Sequence, residues 1–237
     1  MTPDELRGRV LYRDALTIVI DKPAGLPVHA GPKGGPNLER YLDALRFGLP
    51  QPPGLAHRLD RDTSGCLILG RSRKALARLG RLFAAGRVEK VYWAVVVGAP
   101  PEPEGRVDLP LTKRSTAKRG WWMTADPERG RPAVTDYRVL GGAGGLSWLE
   151  LRPLTGRTHQ IRVHCAAALG CPVLGETVYG PRAEATGDAA PLHLHARAVA
   201  VPLYPGRPPV TAAAPPPPHM LAALGACGLD APAGAPS

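Results

Sequence analysis

Residues 57–65 read HRLDRDTSG, a charged stretch that leads directly into the apolar run CLIL at residues 66–69. Proline and glycine precede this stretch and a glycine ends it, so it is predicted to form a turn before a short buried strand. Asp60 lies close to Arg58 and Arg61, whose positive charges favour an ionised carboxylate. Such a carboxylate is a candidate reactive group, although for an arbitrary aspartate a purely structural Asp–Arg turn is the commoner outcome.

Asp60 and Asp62 also allow a second interpretation, the pair of carboxylates of a glycoside hydrolase. Sugar-binding sites usually add aromatic platforms, and only 5% of this chain is aromatic. The glycosidase interpretation is therefore the weaker of the two.

A second polar stretch, TGRTHQIRVH at residues 155–164, is predicted to open a helix with Thr158 as its N-cap and Gly170 as its stop signal. Arg162 falls beside the apolar face of this helix. Its guanidinium needs an anionic partner there, because an unpaired buried charge is very costly. Asp60 is the partner that we predict, although spacing alone does not prove the pairing.

The rest of the chain is predicted to contain more strands than helices. Helices are predicted over residues 37–47, with Asn37 as the N-cap, and from Ser72 to Gly86, where leucines recur at helical spacing. Many strands joined by short connections favour an α+β fold with a mixed or antiparallel sheet and helices packed on it. The runs that predict strands lie at residues 16–20, 66–69, 90–97, 121–123, 134–140, 146–152 and 192–202.

Composition gives the domain organisation. Residues 1–204 are predicted to form a single domain. Of the 33 residues from 205 to 237, 22 are Ala, Pro or Gly, so we predict a partly irregular C-terminal tail.

Charge and cysteine content restrict the partners and the cellular location. The formal charge is +10, and 24 of the 30 basic residues are arginine, which favours a polyanionic partner such as nucleic acid. No apolar run approaches the roughly 20 residues that span a membrane, and the N-terminus lacks the apolar core of a signal peptide. The four cysteines form no C-x-x-C pair, which is typical of a reduced cytoplasmic protein.

No metal or cofactor is expected from the motifs. His159 and His164 are five residues apart and His193 and His195 two apart, and neither pair has the spacing or carboxylate context of a zinc site. These histidines are predicted to be structural or to face RNA. The chain has no G-x-G-x-x-G sequence and no P-loop, so a nucleotide cofactor is not expected.

Taken together, these segments resemble the RluA-type family of pseudouridine synthases. HRLDRDTSG is similar to the catalytic signature of that family, and TGRTHQIRVH resembles its C-terminal signature. The matches run in the family's order from about residue 11 to residue 204. Further segments that fit are DKPAGLPVHAG (21–31), KVY (90–92), LGETVYG (174–180) and LHLHA (192–196).

The resemblance implies an extended, mainly antiparallel sheet with flanking helices and a central cleft. It also implies an isomerase that converts uridine to pseudouridine in structured RNA without a cofactor, with ribosomal RNA favoured over transfer RNA. Because the resemblance begins near residue 11, we do not expect the S4-like domain that many relatives carry in front of this fold. RNA recognition is therefore expected to rest on the catalytic domain, acting as a monomer.

Individual roles follow from the same resemblance. Asp60 would act at the ribose–uracil bond, Tyr92 would stack on the uracil, and Arg162 would position Asp60. Arg58 would enter the RNA near the position that the base leaves. The other predicted RNA-binding residues are His57, Arg61, Thr63, Arg157 and His159.

Two questions stay open at this point. Asp60 can attack C1′ or stabilise charge there, or it can start the reaction by assisting loss of a ribose proton. The main alternative function is a non-catalytic RNA-binding protein that retains the fold. The presence of Asp60, Tyr92 and Arg162 together argues against that alternative, and a nucleoside hydrolase is a more distant one.

Overall fold

The computed structural model describes residues 1–31, 34–118, 120–180 and 190–229, and their contacts divide the chain into two units. The first unit contains residues 1–91 and 195–216. The second contains residues 92–194 and the chain from Pro217 onward.

The strands are short and follow one another closely along the chain. They are β1 (Val10–Arg13), β2 (Thr17–Lys22), β3 (Gly54–Leu55), β4 (Ser64–Gly70), β5 (Glu89–Val97), β6 (Glu104–Asp108), β7 (Leu111–Thr116), β8 (Gly120–Ala125), β9 (Val134–Ala143), β10 (Leu146–Pro153), β11 (Leu194–Val201) and β12 (Val210–Ala213). The α-helices are α1 (Pro3–Arg7), α2 (Arg73–Ala84), α3 (Gln160–Val163) and α4 (Pro218–Ala226). A 3₁₀ helix spans Leu38–Leu45, and a π-helical turn, His164–Ala168, continues α3.

In the first unit the strand order is β1-β2-β4-β11-β12, and β3 also pairs with β4. The pairs are antiparallel except β4–β11, in which parallel strands place Ser64 opposite His195. Helix α2 begins as predicted, because the Ser72 side chain accepts a hydrogen bond from the Ala75 N–H at 3.1 Å. Its Leu79 packs with Ile68 of β4 in the core of this unit.

In the second unit the strand order is β5-β10-β9-β6, with each pair antiparallel. Strands β7 and β8 form a separate two-stranded hairpin. The core between β5, β10 and α3 contains Ala94, Leu149 and Ile161, which are almost fully buried. Strands β5, β8, β9 and β10 lie where apolar runs predicted strands, whereas β6 and β7 were not predicted.

The helix of the second polar stretch begins at Gln160, one residue later than an N-cap at Thr158 predicts. The predicted N-cap, Thr158, is wrong, because His159 occupies the cap position with a left-handed φ of 53°. No side chain caps this helix. The Gln160 Oε1 instead fixes the turn before the helix, because it accepts hydrogen bonds from the Thr155 hydroxyl at 2.7 Å and the Arg157 N–H at 2.9 Å. The predicted stop at Gly170 is confirmed by its φ of 68°.

The segment assigned to the tail contains regular structure within residues 205–229. Strand β12 pairs with β11, and Met220 and Leu224 of α4 are fully buried against Val95 and Trp148. Alanine, which suggested irregular chain here, is also the best helix former, and Pro218 suits the first turn of a helix. The remaining tail residues, 230–237, lie outside the described residues.

The observed architecture confirms the predicted α+β class with a mainly antiparallel sheet. Within the described ranges, no helix is both long and apolar enough to span a membrane.

Candidate active site

The HRLDRDTSG stretch forms a tight turn at the start of β4. Asp60 is half-buried, and its carbonyl accepts a hydrogen bond from the Thr63 N–H at 3.3 Å, which closes the turn. Leu59 points into the protein and is buried, whereas Arg58 is exposed. The turn therefore contains a half-buried aspartate and, two residues before it, an exposed arginine.

Lys22, at the end of β2, binds the backbone of this turn through its side chain. Its side chain is fully buried, and Nζ donates to the carbonyls of Pro23 at 2.8 Å, Leu26 at 2.8 Å and Arg61 at 3.0 Å. Three donors of one ammonium thus join the loop after β2 to the residue that follows Asp60. A buried ammonium with three carbonyl partners fixes the backbone of both loops.

The Lys22 charge also contributes to the electrostatics of the turn. Burial lowers the pKa of its ammonium to about 8, although the carboxylates of Asp62, Asp60 and Asp21 partly oppose the shift. At neutral pH the turn is therefore built around a buried positive charge.

Strand β11 contacts the residue that follows the same turn, because His195 lies beside Ser64. The Ser64 hydroxyl lies 2.8 Å from His195 Nδ1, and His195 Nε2 lies 3.2 Å from the Ala214 carbonyl. The carbonyl can only accept, so Nε2 carries the proton and Ser64 donates to Nδ1. Gly65, with a φ of 103°, approaches Ala196 so closely that a Cβ would collide with its carbonyl oxygen.

The His57 side chain makes two contacts within the protein, one through its ring face and one through a ring nitrogen. The ring stacks on Phe83 at 4.7 Å between centroids, and Nε2 accepts the Ile68 N–H at 3.0 Å. Burial, together with the nearby Lys90 charge, lowers the pKa of His57 to about 3. His57 is therefore neutral at physiological pH, and its predicted contact with RNA stays a prediction.

This environment predicts an acid-sensitive contribution to stability. Between the folded pKa of about 3 and the ordinary value of 6.5, the unfolded chain binds a proton that the folded chain does not. Stability therefore falls as pH drops through that window, by up to about 1.4 kcal/mol per pH unit. Urea unfolding at about pH 7 and about pH 4.5 should show that His57→Gln loses less stability on acidification than the wild type. The exposed His29→Gln is the matched control, and equal losses in the wild type and His57→Gln would contradict this assignment.

The remaining residues of the stretch differ in accessibility. Arg61 is exposed, and its guanidinium makes two hydrogen bonds to the Asp62 carboxylate, at 3.0 and 3.2 Å. Thr63 is buried. A direct RNA contact is thus geometrically open to Arg61, and the RNA-binding role of Thr63 stays a prediction.

In the second unit, Arg162 is buried and paired with Glu176. Arg162 Nε donates to Glu176 Oε2 at 2.7 Å and Nη2 donates to Oε1 at 2.6 Å, and both side chains are less than 10% exposed. The expectation that a buried arginine needs an anion is confirmed. The structure provides Glu176 as such an anion, and the pairing of Arg162 with Asp60 stays a prediction.

Glu176 also organises the segment that follows it. Its Oε1 accepts the backbone N–H of Val178 at 2.8 Å and of Tyr179 at 3.4 Å. The Tyr179 ring lies 5.3 Å from the Arg162 guanidinium carbon, and its hydroxyl lies 2.7 Å from His159 Nδ1. Arg162 is therefore held by an aromatic ring as well as by a carboxylate.

Tyr92 and Lys90 project from one face of β5. Tyr92 pairs with Leu151 of β10 and is partly buried against the core of the second unit. Burial lowers the pKa of Lys90 to about 8. Tyr92 thus has a rigid backbone position and a partly accessible ring, as a stacking residue requires.

Two further polar side chains of this unit, Arg157 and His164, have structural partners. Arg157 Nε donates to the Pro132 carbonyl at 2.9 Å. His164 contacts the Thr135 hydroxyl at 3.0 Å and the Leu109 carbonyl at 3.1 Å. In the part of the chain that the structure describes, no group of three His, Cys, Asp or Glu side chains is placed to hold a metal ion.

Three residues that hold either the Asp60 turn or the Arg162 side chain were not identified as such from the sequence. Lys22, Glu176 and His195 all lie in stretches that the resemblance included, but their partners are distant along the chain or in the backbone. Arg162 itself gave the best signal for Glu176, since a buried arginine requires a buried anion.

Comparisons with known proteins identify the family to which the chain belongs. A family model described as RNA pseudouridylate synthase matches residues 16–167, a span that includes Asp60, Tyr92 and Arg162. An RNA pseudouridine synthase of Zymomonas mobilis, itself uncharacterized, is 47% identical over 195 residues, covering 82% of this chain and 89% of that protein. A mitochondrial pseudouridylate synthase of Xenopus tropicalis is 37% identical over 246 residues, covering 87% of this chain and 76% of that protein.

Solved structures give the same result at the level of the fold. Human RNA pseudouridylate synthase domain-containing protein 4 superposes with a TM-score of 0.79 at 29% identity, covering 97% of each chain. The human domain-containing protein 1 has a TM-score of 0.74 at 29% identity, covering 91% of this chain and 85% of that one.

Proposed function

Since the chain belongs to the RNA pseudouridylate synthase family, whose members are isomerases that convert uridine to pseudouridine in RNA, we propose that Asp60 is its catalytic carboxylate. The observation that carries this proposal is the anchoring of the Asp60 turn. Lys22 holds the next residue's carbonyl, and strand β11 holds Ser64, so a half-buried carboxylate is presented in a fixed position. Such preorganisation is what a reacting group needs.

The reaction is an isomerisation and balances without any other reactant. The bond between uracil N1 and ribose C1′ breaks, the base turns, and C5 bonds to C1′. C5 then loses its proton, and N1 gains one. The target nucleotide must leave its stack for this to happen, and extrusion into a pocket gives the enzyme access.

Asp60 would act where positive charge develops, at the ribose. It would either attack C1′ directly, stabilise charge there, or start the reaction by assisting removal of a ribose proton. Tyr92, held in β5, would stack on the uracil, and Arg162 would position Asp60. The bidentate contact with Glu176 supports this positioning role, because it fixes the orientation of the guanidinium within a buried site.

For the substrate we propose structured RNA, with ribosomal RNA tested before transfer RNA. The exposed Arg58 and Arg61 support an RNA-facing surface around Asp60. Basic side chains hold phosphates without reading sequence, so the target uridine must be defined by RNA shape or by base contacts.

The test is isomerisation of unmodified ribosomal and transfer RNA transcripts by the purified protein. Pseudouridine formed in one of them, at a position that also loses pseudouridine in cells without the gene, would identify the target. Tight RNA binding without any turnover would favour the alternative of a non-catalytic RNA-binding protein.

Lys22 gives a prediction that separates catalysis from stability. Lys22→Met should lower turnover at neutral pH by at least about tenfold, because hydrogen bonds from a charged group contribute roughly 1.5–3 kcal/mol each. In the wild type, the ammonium is lost as pH rises through its pKa of about 8, so turnover should fall above that pH.

This decline should not be caused by unfolding. The unfolded chain keeps the lysine proton up to its ordinary pKa of 10.5, so the Lys22 contribution to stability rises between about pH 8 and 10.5. Turnover and urea unfolding measured against pH should therefore diverge in the wild type. The control is Lys74→Met, an exposed lysine of α2. A pH profile that keeps the same decline in Lys22→Met would rule out Lys22 as its origin.

A further inference from the structure

We propose that Trp121, Lys113 and His159 form a platform on which an unpaired base of the RNA substrate stacks. The inference rests on the proposed function, since it concerns how that substrate is held. The platform lies on the β7–β8 hairpin of the second unit and on the residue that caps α3.

The hairpin register places the lysine and the indole on one face. Lys113 lies opposite Met123, and Ser115 lies opposite Trp121, so Lys113 and Trp121 are diagonal neighbours. The Lys113 ammonium lies 5.0 Å from the centre of the Trp121 ring, within the range of a cation–π contact.

The base of the hairpin is fixed, so the platform has a defined position. Met123 is buried with Val163 and Tyr179, and its N–H donates to the Tyr179 hydroxyl at 3.1 Å. The same hydroxyl lies 2.7 Å from His159 Nδ1, and the His159 ring lies 5.3 Å from the Trp121 ring. Trp121 is thus joined through His159 and Tyr179 to the Arg162–Glu176 pair.

Trp121 is nevertheless 45% exposed. Among the residues that the structure describes, the other large exposed apolar side chains are leucines without such a network. A single exposed apolar side chain needs no explanation. An exposed indole that is fixed in place beside cations is different, because it matches what binds single-stranded nucleic acid.

The chemistry of the surroundings favours RNA as the occupant. Lys113, Arg114 and Lys118 are exposed on the hairpin, and of these Arg114 lies 3.6 Å from the Asp126 carboxylate. Aromatic rings stack with nucleobases, and neighbouring cations hold the phosphates on either side. The platform therefore fits an unpaired nucleotide, with the base on the indole and a phosphate on Lys113.

The test measures binding directly and does not depend on turnover. A short single-stranded oligouridylate and an RNA duplex of the same length are titrated into the wild type, Trp121→Ala, Trp121→Phe and Lys113→Ala. Leu221→Ala removes a similarly exposed side chain from α4 and is the matched control. Far-UV circular dichroism checks that each variant is folded.

Trp121→Ala should weaken binding of the single strand by about tenfold, within the range for loss of one stacked base, and should affect the duplex much less. Trp121→Phe should retain most of the affinity and should lose part of the tryptophan fluorescence quenching seen in the wild type. Lys113→Ala should reduce the salt dependence of single-strand binding by about one ion, whereas Trp121→Ala should leave it unchanged.

Wild-type affinity of Trp121→Ala for the single strand would overturn the platform. Equal weakening for single strand and duplex would overturn it as well, because stacking requires an unpaired base. A wild type that binds RNA but makes no pseudouridine would instead count against the proposed function and leave the binding result intact.

Discussion

Asp60→Asn is expected to fold, to bind RNA with an affinity close to that of the wild type, and to lose isomerisation by at least about 10³-fold. The amide has nearly the same shape as the carboxylate, so the turn closed by the Thr63 N–H should persist. It lacks the charge and the nucleophilicity that the reaction at C1′ requires. The buried Lys22 ammonium also remains bound to its three carbonyls, which do not involve the Asp60 side chain.

The matched control for this prediction is Asp62→Asn. Asp62 lies in the same turn and its charge is also close to Lys22, but its side chain pairs with the exposed Arg61. Its loss should change turnover only slightly, because exposed ion pairs contribute little. Rates are measured under single-turnover conditions with RNA that carries tritium at uracil C5. The reaction releases this tritium when C5 bonds to C1′. Comparable losses of turnover in the two variants would mean that the reaction depends on the total negative charge of the turn and not on the Asp60 carboxylate.

Glu176→Ala is expected to destabilise the protein by about 3–5 kcal/mol, because it leaves the Arg162 guanidinium buried without its bidentate partner. It also removes the acceptor for the backbone N–H groups of Val178 and Tyr179. Urea unfolding measures the loss as a lower midpoint at an unchanged slope. Turnover should fall in the fraction that remains folded, since Arg162 would no longer be held in one orientation.

The chain offers a control with the same geometry on its surface. Arg106 and Asp136 form a bidentate pair at 2.6 and 3.0 Å, but the arginine is exposed. Asp136→Ala should therefore change the urea midpoint little, since solvent screens the charge left behind. If Glu176→Ala and Asp136→Ala lowered the urea midpoint equally little, burial of the Arg162–Glu176 pair would not be what makes it stabilising.

A conservative change at the arginine separates charge from orientation. Arg162→Lys keeps a cation beside Glu176 but offers only a compact charge in place of two parallel hydrogen bonds. The protein should therefore stay folded with reduced turnover, and Arg162→Ala should lose both activity and stability.

The sequence predicted helices and strands well where they depend on residues that are close together in the chain. The Ser72 cap, the leucines of α2 and the apolar run of β5 act through neighbours in the chain, and the structure confirms each of them. The start of α3 was predicted less well, because His159 takes the cap position in a left-handed conformation and no side chain caps the helix.

The elements missed by sequence reasoning depend on tertiary contacts. Strand β6 is mostly exposed and has little apolar signal, so its pairing with β9 is what defines it. Helix α4 is short and rich in alanine, and it is stabilised by packing of Met220 and Leu224 in the core.

The same limit applies to the site. The residues proposed to react were named from the sequence, because they stand in long signatures that resemble a known family. The groups that hold them could not, since Lys22 binds carbonyls and Glu176 lies 14 residues beyond Arg162. A hydrogen bond to a backbone carbonyl cannot be predicted from side-chain identities, because every residue has such a carbonyl.

We propose that this protein isomerises uridine in RNA through Asp60. The most direct measurement is a nucleoside analysis of an unmodified RNA transcript before and after incubation with the wild type and with Asp60→Asn. With the wild type, uridine lost should equal pseudouridine gained, without free uracil, and Asp60→Asn should form no pseudouridine. Release of free uracil, or pseudouridine formed by Asp60→Asn at the wild-type rate, would contradict the proposed role of Asp60.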